Sequence, residues 1–138
     1  MAVPPLEFDD PRVARKSTQI RGKTYSYILG QADGPPKANV VLVHGFPDLA
    51  WGWRYQIPYL MSKGYNVVAP DMLGYGQTDA PEPLEEYSLK NMSHDLAALV
   101  AELWGPQARI VLGGHDWGGA FIWRFAMWHP EILIGIFS

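Results

Sequence analysis

The sequence contains no cysteine, which excludes disulfide bonds, thiolate metal ligands and a cysteine nucleophile. It has no apolar run of membrane-spanning length. Its first residues also lack the basic and apolar regions of a secretory signal. We therefore expect a soluble cytoplasmic protein that has no membrane partner.

Charge of neither sign dominates, since 11 basic and 14 acidic residues give a formal net charge of −3. The basic residues near the N-terminus are spread out along the chain. We therefore expect them to line a solvent-exposed strand face, and we expect no nucleic-acid partner. These residues are Arg12, Arg15, Lys16, Arg21 and Lys23.

What the sequence does contain is an alternation of short apolar runs with longer amphipathic segments. Its 138 residues suit one domain, and a hydrophobic content of 48% is enough to form a core. Strands are predicted at 12–20, 23–29, 40–43, 67–69 and 110–112, and helices at 51–63, 89–104 and 117–129. The first two strands are expected to form an antiparallel hairpin. The alternation after them predicts the α/β class with a mostly parallel, doubly wound sheet.

The chain ends in an apolar run at 132–138, which is typical of a buried strand. No turn, cap or polar tail follows this run. We therefore expect the chain to be truncated at its C-terminus, with this last strand at an exposed apolar edge that favours aggregation.

The segment 109–121 contains the strongest candidate for chemistry. A buried strand passes through a turn into a helix, and Asp116 lies at the turn with Gly114 and Gly118 two residues to either side. Glycine is expected at both positions because a sharp strand-to-helix turn leaves no room for Cβ atoms. The helix N-terminus favours an anion, so Asp116 is expected to be ionised. The alternative is that Asp116 only caps the helix.

Two further motifs accompany this turn. The sequence His-Gly-Phe-Pro at 44–47 follows the third predicted strand, and a glycine-rich segment at 71–78 follows the fourth. Together with Gly-His-Asp-Trp-Gly-Gly at 114–119, these motifs resemble those of the epoxide hydrolases of the α/β-hydrolase fold. The resemblance implies that residues 1–138 are the N-terminal part of one α/β-hydrolase core domain, with the lid and the last strands absent.

The resemblance also implies a mechanism. In that family the aspartate at the position of Asp116 attacks an epoxide carbon, and water then hydrolyses the alkyl ester to release a diol. A small apolar epoxide is the implied substrate, and no cofactor or metal is needed. The backbone N–H groups of Trp117 and Phe46 are implied to form the oxyanion hole. Gly45 permits close approach of the backbone there, and a cis peptide bond is implied between Phe46 and Pro47.

The same resemblance implies that part of the machinery lies outside these 138 residues. Members of the family need a general-base histidine, an acid that orients it and two lid tyrosines that protonate the epoxide oxygen. All are expected downstream of Ser138. Of the four histidines present, His44 is expected to hold its loop, whereas His94, His115 and His129 are expected to be structural or solvent-facing. We therefore expect at most one alkylation of Asp116 per chain.

The glycine-rich segment at 71–78 has neither the lysine of a P-loop nor the spacing of a dinucleotide-binding motif. We interpret it as a structural turn. Asp71 is expected to form an Asx turn with its own loop amides, and Gly74 and Gly76 are expected to adopt positive φ. No nucleotide partner is expected.

Three other functions fit parts of these motifs. Haloalkane dehalogenases share the Asp-Trp pair and the ester chemistry, but their residue at the position of Phe46 is usually polar. Fluoroacetate dehalogenases share His-Gly-Phe-Pro but usually have arginine at the position of Trp117. The third alternative is a non-catalytic binding module of the same fold, in which Asp116 is no longer a nucleophile and the pocket only holds a ligand.

Overall fold

The structure, a computed structural model, describes residues 2–138 and contains one sheet with helices on both faces. The strands are β1 (Val13–Ile20), β2 (Lys23–Gly30), β3 (Ala38–Val43), β4 (Tyr65–Pro70), β5 (Ile110–Gly114) and β6 (Leu133–Phe137). The α-helices are α1 (Gln56–Ser62), α2 (Leu89–Trp104) and α3 (Trp117–Trp128). Short 3₁₀ helices cover Ala50–Trp53, Leu84–Tyr87 and Pro130–Ile132.

The sheet has the strand order β1-β2-β4-β3-β5-β6. β3 pairs in parallel with both β4 and β5, and β5 pairs in parallel with β6. The hairpin of β1 and β2 is antiparallel and adds to β4 in the antiparallel sense. The predicted mostly parallel α/β sheet and its N-terminal hairpin are therefore confirmed.

Alternate residues of β3 show how the sheet supports two cores. Val41 and Val43 belong to the apolar cluster that includes α2 and α3, whereas Val40 and Leu42 belong to the cluster that includes α1. All four side chains are buried. A strand that is covered on both faces needs apolar residues at consecutive positions, and this continuous apolar run allowed β3 to be recognised in the sequence.

One predicted helix is confirmed, and another is divided into two shorter helices. The helix predicted at 89–104 is confirmed as α2, and Ser88 caps it by accepting a hydrogen bond from the Asn91 N–H at 3.1 Å. The helix predicted at 51–63 is instead a 3₁₀ helix followed by α1. Pro58 lies in the first turn of α1, where its missing N–H removes no intrahelical hydrogen bond, so α1 begins just before it.

The prediction that the N-terminal basic residues line a solvent-exposed face is wrong for Lys23. Its side chain is buried, and its Nζ lies 2.5 Å from Glu86 and 2.9 Å from Asp95. Burial by itself lowers the pKa of the Lys23 ammonium, but its hydrogen bonds to Glu86 and Asp95 outweigh burial and raise that pKa. Arg15 and Lys16, on β1 of the same hairpin, are exposed as expected.

The two edges of the sheet differ in character. The β1 edge carries exposed polar side chains that include Lys16 and Gln19. The β6 edge exposes Ile134 and Phe137, in line with the expected apolar edge. Within residues 2–138, none of the helices has the length and apolar character needed to cross a membrane.

Candidate active site

The candidate site lies where the carboxyl ends of two neighbouring parallel strands meet. Val43 at the end of β3 is in register with Gly114 at the end of β5. The His115 N–H continues this pairing by donating to the Val43 carbonyl at 3.1 Å. This register brings the loop that follows β3 against the turn between β5 and α3, so that the motifs at 44–47 and 114–119 form one site.

Asp116 has a backbone conformation that is rare for a residue other than glycine, with φ 58° and ψ −124°. The two flanking glycines are required by close backbone contacts. A Cβ at Gly114 would lie 2.5 Å from the Gly118 carbonyl oxygen, and a Cβ at Gly118 would overlap the Val43 carbonyl oxygen. The sharp turn predicted from the sequence is present, and it projects Asp116 from the end of the sheet.

The Asp116 carboxylate faces the loop that follows β3. Its Oδ2 accepts a hydrogen bond from the Phe46 N–H at 2.9 Å. This bond, with a further contribution from the Trp117 N–H, lowers the pKa of Asp116 below its ordinary value. A capping side chain would accept from the N–H of the second or third residue of α3, and Asp116 makes no such bond, so the alternative role as a helix cap does not describe its contacts. Asp116 is therefore an exposed, ionised carboxylate in contact with a backbone donor.

The loop at 44–47 has the features that the family resemblance implied. His44 is buried, and its Nε2 accepts from the Met72 N–H at 2.9 Å while its Nδ1 lies 2.9 Å from the Gly45 carbonyl oxygen. These bonds assign the proton to Nδ1 and give His44 the expected role of holding its loop. The peptide bond between Phe46 and Pro47 is cis. A Cβ at Gly45 would lie 2.5 Å from the Asp116 Cβ, so glycine is needed at that position.

An apolar cavity of about 200 Å³ lies beside the turn. Gly45, which packs against Asp116, and Trp117, which follows Asp116 in the chain, both line the cavity. Its other walls come from β3, the segment after β4, the 3₁₀ helix Leu84–Tyr87, α2 and α3. They include Val43, Met72, Tyr87, Leu89, Met92 and Phe121. Sequence reasoning missed these walls, because the period of α2 shows that Leu89 and Met92 face inward but does not show that a cavity lies there.

The segment after β4 forms a turn, and the partners predicted for Asp71 are confirmed in part. Asp71 Oδ2 accepts from one amide of its own loop, the Gln77 N–H at 3.3 Å, but not in an Asx turn, and Oδ1 accepts from the Ala50 N–H at 2.9 Å, which lies outside that loop. The predicted positive φ angles of Gly74 and Gly76 are confirmed. Asp71 thus connects this turn to the end of the loop that contains Phe46.

The remaining histidines do not join the site. His94 Nδ1 lies 2.9 Å from His129 Nε2, in a pair that links α2 to the end of α3. His115 is exposed, and none of the four histidines hydrogen bonds to Asp116 in the described chain. Across residues 2–138 there is also no cluster of three or more His, Asp or Glu side chains suited to hold a metal ion.

The chain is similar to known proteins both in sequence and in three-dimensional structure. Residues 38–137 match a family described as alpha/beta hydrolase fold. The chain is 44% identical to epoxide hydrolase srdG of Neurospora crassa over 94% of its length, and 38% identical to bifunctional epoxide hydrolase 2 of Sus scrofa over 99% of its length. In three dimensions it is similar to the crystal structure of epoxide hydrolase VrEH1 from Vigna radiata, with a TM-score of 0.81 and 33% identity over 91% of this chain.

These similarities cover only part of each relative. The chain spans 40% of the length of the Neurospora crassa protein and 24% of the length of the Sus scrofa protein. It covers 39% of the Vigna radiata chain.

Proposed function

Since the chain belongs to the alpha/beta hydrolase fold family, we propose that it acts as an epoxide hydrolase in which Asp116 is the nucleophile. One observation carries this proposal: the carboxylate at the turn is exposed and accepts a hydrogen bond from the Phe46 N–H. The two relatives compared above are epoxide hydrolases, which favours an epoxide over the halogenated substrates considered as alternatives.

In the first step a carboxylate oxygen of Asp116 attacks an epoxide carbon. A C–O bond of the ring breaks, its electron pair moves to the ring oxygen, and the resulting alkoxide takes up a proton from an acid. The lowered pKa of Asp116 keeps the nucleophile ionised, so no base is needed for this step. The product is an alkyl ester on Asp116.

In the second step water attacks the carboxyl carbon of Asp116, and negative charge develops on a carboxyl oxygen. The N–H groups of Phe46 and Trp117 are the donors that would stabilise this oxyanion. The bond between the carboxyl carbon and the alkyl oxygen then breaks, that oxygen takes up the proton removed from the water, and the diol is released with Asp116 regenerated. A base must remove a proton from this water, and the resemblance described above implies that this base is a histidine outside these 138 residues.

The cavity beside the turn supports an apolar substrate. Its walls are almost entirely hydrocarbon, and Trp117 belongs both to the cavity and to the proposed oxyanion hole. An apolar group on the epoxide would leave water there, while the ring would lie at the Asp116 carboxylate. No cofactor or metal takes part in the proposed reaction.

The proposal is tested by incubating the chain with an aryl epoxide and measuring its intact mass. We expect a gain of one epoxide per chain, located at Asp116 by peptide mapping. Asp116→Asn should form no adduct there, and asparagine suits the positive φ of this position. Asp48→Asn, which removes an exposed carboxylate from the same loop region, is the matched control and should react like the wild type.

Other outcomes would contradict the proposal. An adduct that persists in Asp116→Asn would place the reaction elsewhere. No adduct in the folded wild-type chain would favour the binding-module alternative. Halide release from a haloalkane or from fluoroacetate, without reaction with the epoxide, would favour the dehalogenases.

A further inference from the structure

The buried carboxylate of Asp71 has no part in the mechanism described above, yet it lies close to the candidate site. It is 2% exposed, and its shortest hydrogen bonds are to the backbone amides of Ala50 and Gln77. The guanidinium of Arg15 lies 3.5 Å from Asp71 Oδ2, and the Arg15 side chain is 45% exposed. A buried carboxylate is costly unless it is well bonded, so these amide contacts identify what Asp71 holds in place.

The loop from His44 to Ala50 is held at both ends by the turn after β4. At one end, His44 Nε2 accepts from the Met72 N–H at 2.9 Å. At the other end, the Ala50 N–H donates to Asp71 Oδ1 at 2.9 Å. All four residues are buried. Two consecutive residues, 71 and 72, therefore fix the span of this loop.

Between these ends, Gly45 packs closely against Asp116 and the Phe46–Pro47 bond is cis, but few hydrogen bonds to other parts of the chain restrain the loop. The Phe46 side chain is 64% exposed, so packing does not fix its position. The hydrogen bonds of 45–49 in the described chain stay local, apart from the one between the Phe46 N–H and Asp116. The direction of the Phe46 N–H therefore depends on where the two ends of the loop are held.

Asp71 is itself fixed by the sheet. Its N–H donates to the Ser26 carbonyl of β2 at 2.9 Å, and its carbonyl accepts from the Thr78 hydroxyl at 2.6 Å. We propose that Asp71 is a positioning residue that, through Ala50, holds the Phe46 N–H against Asp116. This inference rests on the proposed function for its effect on catalysis, but not for its effect on the charge state of Asp116.

The test measures the pKa of the Asp116 carboxyl by NMR titration of the 138-residue chain. We expect Asp71→Ala to raise this pKa towards the ordinary aspartate value, because the Phe46 N–H is no longer held in place. Loss of the Asp71 negative charge alone would act in the opposite direction, so the sign of the shift separates positioning from electrostatics. Asp33→Ala, which removes an exposed carboxylate elsewhere, should leave the pKa unchanged.

A conservative variant gives a second readout. Asp71→Asn retains an oxygen that can accept from the Ala50 N–H, so its Asp116 pKa should stay close to that of the wild type. The rate of adduct formation with an aryl epoxide should fall about 10- to 100-fold in Asp71→Ala and recover largely in Asp71→Asn. If Asp71→Ala fails to fold, Asp71→Ser takes its place. The serine side chain is shorter than that of aspartate, so its hydroxyl does not reach the Ala50 N–H.

The outcomes distinguish this inference from the proposed function. A folded Asp71→Ala or Asp71→Ser chain with the wild-type Asp116 pKa and adduct rate would overturn the inference alone. If the wild type forms no adduct, the proposed function fails, while the pKa comparison still decides whether Asp71 positions the loop.

Discussion

Asp116 is both exposed and ionised, and both properties follow from its immediate surroundings. Because Gly114 and Gly118 have no Cβ, the backbone can pack closely at both positions and form a sharp turn. This turn places the Asp116 side chain outside the sheet. The Phe46 N–H then stabilises the charged form of the carboxylate. A nucleophile that is exposed and already ionised can attack without a base, which is the chemical basis of the proposed first step.

At the residue scale, the lowered pKa of Asp116 predicts how adduct formation depends on pH. A carboxyl group with a depressed pKa stays ionised until the pH falls through that pKa, here below the ordinary 3.8. The rate of adduct formation at pH 4.5 should therefore remain above about four-fifths of its value at pH 7. Single-turnover mass spectrometry measures this rate, with Asp116→Asn run in parallel to correct for reaction elsewhere.

A different dependence of the rate on pH would contradict this prediction. Loss of half the rate by pH 5, in a chain that circular dichroism shows to be folded, would mean that the titrating nucleophile has a raised pKa.

At the scale of elements, a buried charge cluster joins the N-terminal hairpin to α2. Asp95 of α2 is 1% exposed and accepts from Arg21, Lys23 and the Tyr25 hydroxyl, the last at 2.7 Å. Burial, together with its hydrogen bond to Asp95, raises the pKa of Tyr25, so Tyr25 remains a neutral donor. Because α2 also lines the cavity, the cluster connects the hairpin to a wall of the candidate site.

Replacing Lys23 with methionine tests this connection. The substitution keeps the buried chain length but removes charged hydrogen bonds to Asp95 and Glu86, so the free energy of unfolding should fall by about 1.5–3 kcal/mol. Lys16→Met, on the same hairpin but exposed, is the matched control and should change stability by less than about 0.5 kcal/mol. Urea denaturation measures both values. Equal stability of the two variants would show that the charged hydrogen bonds of Lys23 contribute nothing to the free energy of unfolding.

At the scale of the whole molecule, the two sheet edges predict how the chain associates. β1 presents charged and polar side chains, which oppose edge-to-edge pairing, whereas β6 presents Ile134 and Phe137 at 55% and 46% exposure. Association of this chain should therefore proceed through β6.

Ile134→Lys tests that expectation by placing a charge on the apolar edge. The variant should elute closer to the monomer position than the wild type as concentration rises, measured by size exclusion with light scattering. Gln19→Lys adds the same charge to the opposite edge and should associate like the wild type. A wild-type chain that is monomeric at every concentration would contradict the prediction. An Ile134→Lys variant that associates as strongly as the wild type would also contradict it.

Much of the fold could be predicted because its signals are local. The continuous apolar run of β3, the period of α2 with Ser88 as its cap, and the glycines around Asp116 each depend on neighbouring residues. The division of the segment 50–62 was not predicted, since a 3₁₀ helix and an α-helix share much of the same pattern.

The sequence by itself determined the order of the elements, the mostly parallel sheet and the turn that exposes Asp116, because periodicity and backbone sterics act over short distances. Only the tertiary structure decided that the Phe46 N–H reaches Asp116, that Lys23 is buried against Asp95, and that Asp71 binds Ala50. Phe46 and Asp116 are 70 residues apart, and their contact exists because β3 and β5 pair in one register. Strand register and packing fix which distant polar groups meet, and a local pattern does not contain that information.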